Sequence, residues 1–212
     1  MNINPCKYAG DKVLLVEGAD DCHVILALCK HFAIPETFGI YECGSDIEAI
    51  KRMNALLASE NLPTTIGLVT DADTNLTDRW ASISNKLKSK GYVFPTTPHP
   101  SGTIIQPDDD KPRIGFWLMP NNQTVGMLED FCLEMIREDA KQTIEECIQI
   151  AESRNHTTFI PAHRSKAIVH THLAWQDEPG KPLGQSITKQ TLLAETDTAK
   201  QFAKWLTELF SH

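Results

Sequence analysis

No Cys-x-x-Cys pair occurs in this chain, although it holds six cysteines, Cys6, Cys22, Cys29, Cys43, Cys132 and Cys147. A zinc ribbon needs such paired thiolates, so that class has little support. Cys22, Cys29, Cys132 and Cys147 fall in helically patterned stretches, and the cysteines are expected as reduced thiols of a cytoplasmic protein. Long apolar runs are missing too. The longest, Val24 to Cys29, falls far short of the ~18 residues that span a bilayer, so no membrane association is expected. The opening MNINPCKYAGDK has no apolar signal core. No G-x-x-x-x-G-K-[ST] occurs, and Gly180-Lys181-Pro182 does not substitute for one, so an ATPase, if required, must be a separate chain. A formal net charge of −8 argues against a surface that attracts nucleic acid over its whole extent. It leaves room for a basic strip beside an acidic, cation-holding site.

What the chain does contain is enough apolar sequence, 41% of 212 residues, for a sizeable core. The first half alternates strand and helix signals. Lys12 to Val16 is a short apolar run suited to a strand buried on both faces. Asp20 or Asp21 can cap a helix that places Val24, Ile25, Leu28 and Phe32 at helical spacing. A second strand is read near Phe38 to Tyr41. Ser45 and Glu48 then form a capping box ahead of Ile47, Ile50, Met53 and Leu57. The third strand, Thr65 to Thr70, precedes a helix with Leu76, Trp80, Ile83 and Leu87 on one face, stopped by Lys88, Lys90 and Gly91. Three β-α units in succession predict a mostly parallel sheet with right-handed crossovers.

Further along, Tyr92 to Pro100 is read as a strand entering a Pro-rich turn. Thr103 to Gln106 and Arg113 to Leu118 are read as two short strands around the charged loop 107–112, whose Asp108 to Asp110 run is taken as solvated. From Val125 the pattern is mainly helical, with helices around 128–135, 144–151, 167–175 and 202–210 and a loop over 177–185. The expected organisation is an α/β domain over 1–122 with a mainly helical extension over 123–212 packed on it.

The chemistry rests on carboxylates. Glu17 follows the first strand in LLVEGADD, and Asp71 and Asp73 follow the third in GLVTDADTN. In parallel sheets, ligands sit at the carboxyl ends of the strands, and all three acids fall there. Clustered carboxylates repel one another unless a proton or cation neutralises them. Hard oxygen donors of this kind suit Mg2+ or Mn2+. V-E-G-A-D-D followed by T-D-A-D-T resembles the Toprim domain shared by topoisomerases, bacterial primases and OLD-family nucleases, over roughly residues 11 to 120. The stretches 115–120 and 126–130 are similar to uncharacterised prokaryotic Toprim-related proteins. The resemblance implies a nuclease or related phosphodiester-processing enzyme acting on DNA or RNA. Asp71 and Asp73 would hold Mg2+, and Glu17 would bind a second ion or act as general acid or base. With only three tyrosines and no room for gate domains, a topoisomerase is not expected, nor is a full primase without its zinc module.

Other residues stand near this set. Asp21, one turn past Glu17, is a further metal candidate or a helix cap. Glu129 and Asp130 are either added ligands or acids that favour a helix start. Lys166, in the basic cluster His163-Arg164-Ser-Lys166, could stabilise charge on a scissile phosphate. His170 and His172, two apart on a helix, do not face one ion. The four tryptophans are read as core or interface anchors. Two alternatives compete with the nuclease. In a haloacid-dehalogenase-type phosphatase Asp71 would be the nucleophile, although the motif comes after two β-α units and Asn75 departs from that pattern. A catalytically silent Toprim-like module, or a receiver-like one using Glu17, Asp20, Asp21 and Asp71, would only bind partners.

Overall fold

A computed structural model describes residues 4–8, 10–107 and 110–211. Asp108 and Asp109 of the charged loop lie outside the described residues, and Asp110 is exposed. The sheet contains β1 (Lys12–Val16), β2 (Gly39–Glu42), β3 (Thr65–Asp71), β4 (Thr103–Ile105) and β5 (Arg113–Met119) in the order β2-β1-β3-β5-β4. The first four in that order run parallel, and β4 closes the edge antiparallel to β5. The helices are α1 (Ala19–His31), α2 (Asp46–Leu56), α3 (Leu76–Lys88), α4 (Leu128–Leu133), α5 (Glu138–Ser153), α6 (Arg164–Ala174), α7 (Leu183–Thr188) and α8 (Asp197–Phe210).

Side chains alternate across a strand, so a run apolar at every position must be covered twice. In β1, Leu14 and Val16 join a core with α1, α4, α7 and α8, while Val13 and Leu15 join a second core with α2 and α3. The result is the expected α/β architecture, a mostly parallel sheet flanked by helices with a helical carboxyl-terminal region. The first core draws on residues from both the 1–122 and the 123–212 segments. Helix α8 supplies its largest apolar face: Phe202, Trp205, Leu206, Leu209 and Phe210 are all at most 1% exposed. Each such side chain contributes about 1.5–3 kcal/mol on burial. The helix lies close because Gly67 and Gly115 have no side chain; a Cβ on Gly115 would stand 2.6 Å from a Leu209 methyl. The last turn of α8 reaches the start of β1, where Lys12 Nζ donates to the Phe210 carbonyl at 3.3 Å.

Three local expectations are corrected. Tyr92 to Pro100 is not a strand. Prolines 95, 98 and 100 cannot donate ladder hydrogen bonds, and Tyr92 is instead buried, its hydroxyl donating to the Pro112 carbonyl at 2.9 Å. The loop read over 177–185 ends early, because α7 begins at Leu183 and packs Gly184 against the His23 backbone of α1. Only half of the capping box at α2 forms. Ser45 accepts from the Glu48 amide at 3.3 Å, but the Glu48 carboxylate turns to Lys51 at 2.6 Å.

The cysteine reading also changes. Cys6 and Cys22 are not reduced thiols; a disulfide joins them and fixes the amino-terminal segment to α1. That segment folds back on the sheet edge, with Lys7 bridged antiparallel to Tyr41 of β2. Cys29, Cys43, Cys132 and Cys147 are free thiols. Of the tryptophans, Trp80, Trp117 and Trp205 are buried, whereas Trp175 is 52% exposed. His172 is buried, with Nε2 within 2.9 Å of the Thr191 carbonyl. Among the described residues, no helix is long and apolar enough to cross a membrane.

Candidate metal centre

The site is built where β1 and β3 end side by side. These strands pair in parallel, with Leu15 opposite Leu68, so the chains leaving them emerge at one rim. Glu17 leaves β1 there. Its Oε1 accepts hydrogen bonds from the Thr70 hydroxyl and, at 3.0 Å, from the Asp71 backbone amide. Thr70 is 1% exposed and still inside β3, so Glu17 is anchored by the neighbouring strand itself. Burial raises the Glu17 carboxyl above its ordinary value even though both bonds pull the other way.

Asp71 is the last residue of β3. Its Oδ1 accepts from the Leu128 amide, the first residue of α4, at 3.0 Å. Burial, followed by the charges of Glu17, Asp21, Asp73 and Glu129, pushes its carboxyl up to about 8. Asp73 follows after one residue, at φ 52°, a left-handed backbone that Asp tolerates better than most. Its amide donates to the Gly126 carbonyl at 2.9 Å, and its carbonyl accepts from the Gly126 amide at 2.8 Å. Its Oδ2 pairs with Arg79 on α3, and the same guanidinium pairs with Asp46 at the start of α2.

The remaining candidates are placed as follows. Asp21 reaches back from α1 to accept the Gly18 amide at 3.0 Å, which is a helix-start contact. Burial, then Glu17 and Glu129, lift its carboxyl to about 7. Glu129 is 7% exposed and pairs with Lys166 at 2.8 Å. That carboxylate raises the Lys166 ammonium, with Asp20 and Asp71 adding to it, so Lys166 lies in the field of the acids. Asp130 is committed on both oxygens, to the Met127 amide at 2.8 Å and to the Ser165 hydroxyl, and holds the start of α4 against α6. Arg164 points away to Glu152 at 2.7 Å.

Two contributors were not legible as site residues in the sequence. Thr70 reads as one more buried strand position. Arg79 reads as one polar position of an amphipathic helix; the available signal was its place one turn into the helix after D-x-D.

Among the described residues, no three His, Cys, Asp or Glu side chains converge tightly enough to form a ready-made metal group. The donor set nevertheless fits a hard cation. Glu17, Asp71, Asp73 and Glu129 are each engaged through one oxygen, which leaves Oε2, Oδ2, Oδ1 and Oε2 without a hydrogen bond among the described residues. Burial first, and the neighbouring carboxylates second, raise Asp71 and Asp21, and a divalent ion would offset the second of these causes. A cavity of about 1090 Å3 runs instead along β4, lined among others by Pro98, Thr103 and Arg113, and none of these acids lines it.

A parallel sheet with acids gathered where two adjacent strands end defines an α/β protein with a carboxylate-lined rim. Residues 11–211 match the family model described as Protein of unknown function (DUF3226), and the chain belongs to that family. No curated protein and no solved structure matches it.

Proposed function

We propose that this protein is a Mg2+- or Mn2+-dependent nuclease, or a related phosphodiester-processing enzyme acting on nucleic acid, with a Toprim-like site. The observation that carries the reading is the contact of the Glu17 carboxylate with the Asp71 backbone, because it brings the acid after β1 against the first residue of the D-x-D that ends β3. Asp71 and Asp73 are the residues that would hold the ion. Bound there, it would supply Lewis-acid polarisation of a phosphoryl oxygen and a more acidic water. Glu17, half-buried and held by Thr70, would act as general acid or base. Lys166, half exposed beside Glu129, offers a positive charge for the phosphate.

The test is cleavage of labelled single- and double-stranded DNA and RNA with Mg2+, Mn2+ or EDTA, using the wild type, Glu17→Gln and Asp71→Asn. Cleavage that needs metal and disappears in both variants supports the reading. Folded protein that neither cleaves nor binds Mn2+ overturns it in favour of a silent partner-binding module.

A further inference from the structure

We infer that Arg79 is a positioning residue that holds Asp73 in the geometry needed to receive a divalent cation, through a relay running Asp46–Arg79–Asp73. This rests on the metal-site reading above, and its test separates the two.

Asp73 is restrained from three directions. Its backbone occupies the left-handed region, and both of its backbone polar groups are paired with Gly126. Its Oδ2 is gripped by Arg79 Nη2. Arg79 is itself fixed, because Nη1 binds Asp46 at the first position of α2, just past the end of β2. The guanidinium is a planar fork whose two terminal nitrogens can hold two carboxylates in a set relation, which a lysine ammonium does not do. The relay is most buried at its centre and most open at Asp73. The Arg79 side chain is 15% exposed and that of Asp46 28%, while Asp73 is 50% exposed and stands at the surface. An unsupported half-exposed aspartate would sample several rotamers, and fixing it would cost a bound ion affinity. The relay meets that cost in the fold and leaves Oδ1 for the ion. Groups that orient metal-binding carboxylates in this way change metal affinity by roughly 10–100-fold when removed.

The sign of the effect makes the inference testable without any activity. By charge alone, removing a cation next to Asp73 must strengthen cation binding. If Arg79 positions Asp73, Arg79→Gln must weaken it despite that gain. Mn2+ affinity would be measured by electron paramagnetic resonance of the free ion, on wild type, Arg79→Gln and Arg79→Lys, with folding checked by circular dichroism and melting. The expected result is Mn2+ binding at least about tenfold weaker in both variants. Arg79→Lys, which keeps the charge without the fork, remains informative if Arg79→Gln does not fold. Wild-type protein that binds Mn2+ while folded Arg79→Gln binds it equally well or more tightly overturns the positioning role and leaves the metal site standing. Wild-type protein that binds no Mn2+ overturns both.

Discussion

The Glu17 carboxylate accepts a hydrogen bond from the backbone amide of Asp71 at 3.0 Å, so an acid on one strand end is tied to the main chain of the next. The tie is independent of the Asp71 side chain. The two carboxylates are therefore held near each other whether or not anything neutralises them, and the electrostatic cost is built into the fold.

That cost predicts a pH dependence. The Asp71 carboxyl is raised to about 8 in the folded protein, well above its ordinary value in an unfolded chain. The folded state therefore keeps a proton that the unfolded state gives up. The associated stability is fully present below about pH 4 and is lost as pH rises through about 8. Asp21, raised to about 7, acts in the same direction. Melting in EDTA is expected to fall between about pH 5 and 8 and to level off above. The fall should be shallower in Asp71→Asn, and Mn2+ at pH 8 should restore the wild type but not the variant. A flat wild-type profile would contradict the raised carboxyls.

Thr70→Val keeps the shape of a buried strand residue and removes the hydroxyl that anchors Glu17. A hydrogen bond to a charged group contributes about 1.5–3 kcal/mol. The variant is expected to melt several degrees lower, measured by circular dichroism, and to lose at least about tenfold in any metal-dependent cleavage. Unchanged melting together with unchanged cleavage would mean that Glu17 needs no such anchor.

Gly115→Ala places a methyl 2.6 Å from Leu209 between the sheet and α8. Overpacking of this kind costs about 1–3 kcal/mol. Chemical denaturation should show that loss, and the double variant with Leu209→Ala should show less than the sum of the two single losses.

The Cys6–Cys22 disulfide closes a loop with a sequence separation of 16. A closure of that length stabilises by about 3 kcal/mol. Dithiothreitol or Cys6→Ser is expected to lower the melting temperature. Alkylation under denaturing conditions should label Cys29, Cys43, Cys132 and Cys147 before reduction and Cys6 and Cys22 only afterwards. Labelling of all six without reductant would rule the bridge out.

The sequence carried much of this arrangement where period and order suffice. The apolar run at Lys12–Val16 announces a strand buried on both faces, and Thr65–Thr70 announces a third strand. Parallel order then places Glu17 and Asp71 at one rim without knowledge of any side-chain contact. Residues 92–100 misled because Tyr92, Val93 and Phe94 look strand-forming locally, while the prolines that follow remove the donors a ladder requires. The disulfide was illegible for a different reason. It depends on the segment around Lys7 folding back beside Tyr41, a contact that no periodicity encodes. Arg79 was illegible because its partner Asp46 is 33 residues away on another helix.

The end of α8 beside Lys12 fixes where the molecule can be handled. β1 has five residues, about 16 Å of extended chain, and the acids follow its far end. A dye, bead or surface attached through a cysteine placed at Ser211 is therefore moored at the rim opposite the carboxylates. A tethered molecule presents its acidic rim to solution, which suits surface-binding measurements with the ions and substrates to be tested.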